Sequence, residues 1–163
     1  MSEPIRLDHP FPPLFDSQSD TLILGSFPSV KSREAMFFYG HPQNRFWRVI
    51  AALYGEEVPV TTEEKSALIL RNHLALWDSI KSCTITGSSD SSVRDAVPND
   101  LSVIIQNSRV DRVFCNGALS YKLYTKYVFS QSGIEAVKLP STSPANAVYS
   151  LDRLTREWRI LLK

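Results

Sequence analysis

The sequence predicts an α/β fold with three layers, a mainly parallel four-stranded sheet between helices. Three observations predict it. Short apolar runs alternate with helix-like segments along the chain. The runs are continuously apolar, as in strands covered on both faces. Two of them lead straight into small, polar, proline-bearing loops, and such loops build a cleft at the carboxyl ends of parallel strands.

Residues 1–20 carry four prolines and read as an irregular arm. Thr21-Leu22-Ile23-Leu24 reads as a buried strand, stopped by Gly25 and Pro28. Residues 29–43 read as a loop holding Phe37-Phe38-Tyr39. A helix starts near Asn44, a good N-cap, and runs to about Tyr54 with Trp47, Ile50, Ala51 and Tyr54 at helical spacing. A second helix spans 63–71, capped by Thr61 or Thr62, with Glu63 and Glu64 in its first turn. Leu74-Ala75-Leu76-Trp77 is a short strand, residues 87–98 a serine-rich loop, and Asn99 caps a helix to about Asn107. Arg112-Val113-Phe114-Cys115 is a strand that Asn116-Gly117 turns into a helix over 118–128. Residues 135–139 form the last strand. Residues 151–162 form a closing amphipathic helix with Leu154, Trp158 and Leu161 on one face. All of this fits one domain over 1–163.

Composition narrows the class of function. Hydrophobic residues are 43% and charged residues 21%, the balance of a soluble globular core. No apolar stretch approaches the roughly 18 residues of a membrane span, so no membrane partner is expected. The first residues lack the basic start and apolar run of a signal peptide. Cys83 and Cys115 read as buried thiols in a reducing compartment, and a cytoplasmic location is the expectation. His9, His41 and His73 have no ligand spacing, so no metal site is expected. Net charge is only +1, so a nucleic-acid surface would have to be local. Lys31, Arg33, Arg45 and Arg48, then Lys122 and Lys126, are the candidates.

Three short segments carry the chemistry: Gly25-Ser26-Phe27-Pro28-Ser29, His41-Pro42-Gln43-Asn44-Arg45-Phe46-Trp47 and Ser141-Thr142-Ser143-Pro144-Ala145-Asn146. The first is neither a dinucleotide fingerprint nor a P-loop, because the further glycines and the Gly-Lys-Ser/Thr ending are missing. Taken singly, it reads as a turn and Asn44 as a helix cap. Tyr39, in a loop, is a better stacking platform than Phe46 or Trp47, which read as core. Asp78 lies just past a strand end, where a carboxylate can serve as a base or cap a turn. Asp90 in the serine-rich loop is a second carboxylate, and no histidine completes a nucleophilic triad.

In order, these segments resemble the uracil-DNA glycosylase superfamily, and most closely its hypoxanthine-DNA (deoxyinosine) glycosylases, relatives of the mismatch-specific uracil-DNA glycosylases. Tyr39-Gly40 extends the second segment, and Leu76-Trp77-Asp78, Lys81-Ser82-Cys83 and Asp90-Ser91-Ser92 resemble the middle of that family. The resemblance runs from about Leu22 to Asn146. It implies a parallel four-stranded sheet between helices. It also implies hydrolysis of the N-glycosidic bond of a deaminated base, hypoxanthine first and uracil second, flipped out of DNA without a cofactor. Asn44 would be the catalytic residue. Gly25, Ser26, Phe27, Pro28 and Tyr39 would form the base pocket, and Ser141, Ser143, Pro144, Ala145 and Asn146 would contact DNA.

Two positions depart from the relatives. Phe27 stands where the mismatch-specific enzymes place a water-positioning asparagine, and Ala145 stands where a bulky wedge fills the duplex. Both argue against strong uracil excision. The expected protein is a monomeric repair glycosylase. The rivals are a uracil-directed glycosylase and a catalytically idle nucleic-acid or nucleotide binder on the same fold.

Overall fold

The central strands form because they are apolar on both faces. In the computed structural model, which describes residues 3–86 and 92–162, β2 (Thr21–Gly25) and β3 (Leu74–Asp78) are buried along their whole length. They follow a first strand, β1 (Ile5–Asp8), and two helices, α1 (Val30–Ala35) and α2 (Phe46–Tyr54), lie in the segment between them, with a third, α3 (Thr62–Arg71). β2 pairs in parallel with β3 on one side and with β6 (Arg112–Asn116) on the other, and β6 pairs in parallel with β7 (Ala136–Leu139). The order β3-β2-β6-β7 is the expected four-stranded parallel sheet. The pairings set Gly25 beside Asp78 and Asn116 beside Leu139, so all four strands end together at the cleft.

Helices cover this sheet. α3 packs on β3, while α5 (Ala118–Leu123) packs on β6 and β7. α3 begins with a capping box: Thr61 accepts from the Glu64 amide, and Glu64 accepts from the Thr61 amide. α5 continues through a π-helical turn (Tyr124–Val128) into α6 (Phe129–Ser132), four residues beyond the expected end. α7 (Leu151–Glu157) passes into a 3-10 turn (Trp158–Leu161), and Leu154, Trp158 and Leu161 are buried as the amphipathic pattern requires.

The structure corrects the sequence reading at several elements. The arm is not irregular throughout. β1 pairs antiparallel with β4 (Ile80–Ile85), and β4 with β5 (Arg94–Pro98), giving a second, three-stranded sheet. β5 lies inside the segment expected to be a loop; of that segment, residues 87–91 fall outside the described residues, Asp90 among them. These strands escaped notice because β1 and β5 are largely exposed and show no apolar run. Further along the arm, Leu14 exchanges backbone hydrogen bonds with Leu76 and covers the outer edge of β3. The loop over 29–43 contains α1, capped by Ser29. Asn99 does not cap a helix. It is buried and donates to the backbone oxygens of Asp78 and Ile80, whereas α4 (Ser102–Ile105) starts after Leu101.

Candidate active site

Loops leaving β2, β3, β6 and β7 enclose a cavity of about 560 Å³. Its lining includes Gly25, Ser26, Phe27, Pro28, Tyr39 and Asn44 from the first half of the chain, and Ser141, Ser143, Ala145 and Asn146 from the second. The structure thus gathers segments about a hundred residues apart in sequence. Among the expected DNA-contacting residues, Pro144 is exposed beside the mouth and does not line the cavity.

Asn44 is held on two sides. Its Oδ1 accepts from the Phe46 amide at 2.9 Å, in the first turn of α2, and from the Thr142 hydroxyl at 2.8 Å. Arg45 rather than Asn44 occupies the cap position, yet the Asn44 side chain still satisfies one of the orphan amides of that helix. The Thr142 hydroxyl in turn accepts from Asn116 Nδ2 at 3.0 Å, and Asn116 Oδ1 accepts from the Thr142 amide at 3.0 Å. A backbone amide can only donate, so this chain of bonds fixes which end of the Asn44 amide is oxygen. It leaves Asn44 Nδ2 as a donor with no partner among the described residues.

Tyr39 sits across the cavity with a φ of 52°, uncommon for a residue with a side chain. Its ring stacks on Phe46, 4.0 Å between centroids, so one of its faces is already covered. Its hydroxyl is buried with no partner of hydrogen-bonding geometry. The pKa is raised, first by burial and then by the charge of Asp78, with the Asn116 amide opposing; the phenol therefore stays neutral. Gly25 is required beneath it. A Cβ there would lie 2.3 Å from Asp78 Oδ1 and 3.3 Å from the Tyr39 hydroxyl.

Asp78 is buried at the floor, and its Oδ2 is 2.7 Å from His9 Nε2. His9 comes from the arm: β1 pairs with β4, and the His9 amide donates to the Lys81 oxygen just beyond that pairing. Its ring meets Phe11 edge-on at 4.6 Å.

Of the expected DNA-binding cations, Arg45 is committed elsewhere. Its guanidinium donates to the backbone oxygens of Thr142, Ser143, Asn146 and Tyr149 and so pins the loop after β7. Arg33 donates to the Pro28 oxygen, and Lys31 pairs with Glu34 on the surface. His41 closes a turn: its Nδ1 accepts from the Gln43 amide.

A family model described as "Uracil DNA glycosylase superfamily" matches residues 12–162. The chain belongs to the uracil-DNA glycosylase superfamily. Within that superfamily it is 33% identical over 154 residues to a hypoxanthine DNA glycosylase of Methanosarcina acetivorans, covering 94% of this chain and 96% of that one. A hypoxanthine DNA glycosylase of Methanosarcina barkeri is 31% identical over 138 residues, 83% of this chain and 86% of the relative. The solution NMR structure of a Methanosarcina acetivorans protein, provisionally assigned as a uracil DNA glycosylase, superposes with a TM-score of 0.79 at 30% identity, covering 98% of this chain and all of that one. In this superfamily member, Asn116 and Thr142 line the cavity and His9 backs Asp78, none of them foreseen. Asn116 carried a signal, a polar side chain at a strand's carboxyl end. Thr142 lay unremarked inside a recognised segment, and His9 had no local signal at all.

Proposed function

We propose that this protein is a DNA-repair glycosylase that hydrolyses the N-glycosidic bond of deaminated bases, hypoxanthine before uracil. The single observation that carries this reading is Asn44, a residue lining the cavity whose oxygen is spent on Phe46 and Thr142 and whose Nδ2 is an unpaired donor. As the glycosidic bond lengthens, negative charge gathers on the departing base. A fixed donor aimed at that charge needs no reorganisation during the reaction, and losing one such donor costs roughly a hundredfold or more in rate. A neutral amide supplies this without acting as a base. Water adds to the anomeric carbon, the bonding pair leaves with the base, and the water's proton passes to solvent or to the base.

The rest of the cavity fits this role. A flipped base must be unstacked from the duplex and held. The open face of Tyr39 is an aromatic platform for it, and stacking of this kind is worth about 1–3 kcal/mol. Residues 25–28 form the floor, and the loop over 141–146, pinned by Arg45, would grip the DNA backbone beside the lesion. Phe27 lines the cavity as an apolar wall that cannot order a water for uracil excision. The supporting names are those of the relatives; the base preference is our reading.

The test is direct. Duplexes holding one inosine or one uracil are incubated with the protein, and abasic sites are then cut with alkali. Strand cleavage is expected at inosine, with slower cleavage at uracil. Intact strands with both substrates would leave only a binder on this fold. The same reading has a monomer at work, which light scattering checks.

A further inference from the structure

The segments that frame the cavity mouth carry cations that the fold has already committed. Arg45 and Arg33 donate to backbone oxygens, and Lys31 pairs with Glu34. Phosphate contacts nevertheless fix a protein's register on DNA, and the strand must be held while one base leaves the stack. One guanidinium at the rim is held but unspent. Arg153 of α7 is exposed, and its Cζ lies 4.2 Å from the centroid of the Tyr149 ring. That is the shortest cation–π contact among the described residues. Arg6, Arg33, Arg45, Arg71 and Arg112 all donate to fixed oxygens. Among the described residues the Arg153 side chain donates to none, and it forms no ion pair with Asp152 or Glu157, its acidic neighbours on the helix.

Tyr149 ties this pair to the cavity. Its amide donates to the Asn146 oxygen at 3.3 Å, and its own oxygen accepts from Arg45, which also holds the Ser143 and Asn146 oxygens. Ser143 and Asn146 line the cavity, so Tyr149 stands one hydrogen bond from the lip. The Tyr149 ring is half-buried and packs against the main core, which fixes the plate beneath the guanidinium. A free arginine gives up rotamer freedom when it binds, and one already held by a ring gives up less. The ring engages the guanidinium through its π face and leaves the N–H edges free. Such an edge matches two oxygens of a phosphodiester in a bidentate pair. We propose that Arg153, held over Tyr149, is the clamp for a DNA phosphate at the rim of the cavity, anchoring the strand while the base enters. This rests on the glycosylase reading above and adds a phosphate ligand that no sequence motif marks.

The experiment measures binding to a duplex with a tetrahydrofuran abasic analogue at the lesion, which cannot be hydrolysed. Arg153→Ala should weaken binding several-fold and make the slope of log K against log salt shallower by about 0.9, the share of one phosphate contact. Arg156→Ala removes the same charge one turn along α7, from an exposed side chain over no ring, and should leave the slope as it is. Arg153→Lys keeps a point charge without the fork, so it should recover the slope and only part of the affinity. Tyr149→Leu keeps that charge and the backbone bond to Arg45, and should lose affinity at an unchanged slope. The three arginine variants should melt with the parent, and at saturating inosine DNA the single-turnover rate of Arg153→Ala should match it, because the contact is to backbone and not to base. Phosphates are then replaced one at a time, on either strand, by neutral methylphosphonates. One linkage near the lesion should weaken the parent several-fold when neutralised and leave Arg153→Ala unaffected. If Arg153→Ala and Arg156→Ala are equal in affinity and slope, or if every neutral linkage weakens Arg153→Ala as much as the parent, the clamp falls, whatever happens to inosine. If the clamp signature appears while inosine DNA stays intact, the glycosylase reading falls and the clamp stands.

Discussion

At the scale of the residue, Asn44 is both a structural acceptor and a free donor, and the two can be separated. Asn44→Asp keeps an oxygen for the Phe46 amide and the Thr142 hydroxyl, and aspartate serves a helix start as well as asparagine does. It loses Nδ2 and adds negative charge beside a base that is itself becoming negative. We expect a melting temperature close to the parent and a loss of roughly a hundredfold or more on inosine DNA. Parent-rate cleavage by the stable variant would reduce Asn44 to a structural residue. Thr142 is fully buried and links Asn116 to Asn44. Thr142→Val removes the hydroxyl, leaves Asn116 Nδ2 without its partner, and should cost about 1–3 kcal/mol of stability. It should also slow cleavage, because the Asn44 amide is no longer aimed, and Thr142→Ser should restore both. Denaturant melts paired with single-turnover rates decide this; a Thr142→Val enzyme of undiminished rate would show that Asn44 aims itself.

At the scale of the element, the loop between β7 and α7 is held chiefly by one side chain. Arg45 offers a planar fork of donors, and four backbone oxygens in that loop accept from it. The loop has little core of its own, since within 141–149 only Thr142 is fully buried. Arg45→Met keeps most of the aliphatic bulk and removes every donor. The expected result is a loop cut earlier by protease, with KM for inosine DNA rising several-fold and kcat falling less. The protease pattern and the KM-to-kcat split read this directly. A fall confined to kcat would place Arg45 in the chemistry instead. From its other end the loop is braced by Trp158, buried after α7, whose Nε1 donates to the Pro140 oxygen at 2.9 Å and whose ring meets Phe46 edge-on at 5.9 Å. The closing helix thus reaches the stack beneath Tyr39.

At the scale of the whole molecule, two ionisation effects are measurable. Burial pushes the Cys115 thiol up to about 12, with a hydrogen bond from Ser120 opposing. The Tyr39, Tyr54 and Tyr124 phenols are also raised, each chiefly by burial. All are neutral below their unfolded pKa values, so stability is complete there. As the pH climbs above about 9, the unfolded chain sheds protons that the folded chain keeps, and stability falls. Melting temperatures taken from pH 7.5 to 10.5 should therefore decline toward the alkaline end, less steeply in Cys115→Ala. A flat profile would contradict the burial of these groups. DNA binding is the second effect. With net charge +1 and Arg45 spent on the loop, few phosphate contacts are available. The slope of log K against log salt should be no steeper than roughly −4, at about −0.9 per contact. A slope near zero would remove DNA as the partner.

The sequence by itself determined the parallel sheet and the lips of the cavity. Both are written locally: continuous apolar runs such as Leu22-Ile23-Leu24 demand cover on two faces, and the loops they enter follow them in the chain. Asn44 and the segments over 25–29 and 141–146 were legible for the same reason. The antiparallel sheet was not, because β1 and β5 are short and largely exposed, and their pairing with β4 is decided by partners some 75 and 15 residues away rather than by any pattern of their own. Only the tertiary structure could show that this pairing carries His9 to Asp78, a contact spanning 69 residues. It alone showed that Arg45 faces a loop rather than phosphate, and that Asn116 and Thr142 decide which end of Asn44 is the donor. A side chain's residue type fixes what it can offer, but the direction in which it offers it is set by neighbours distant in sequence.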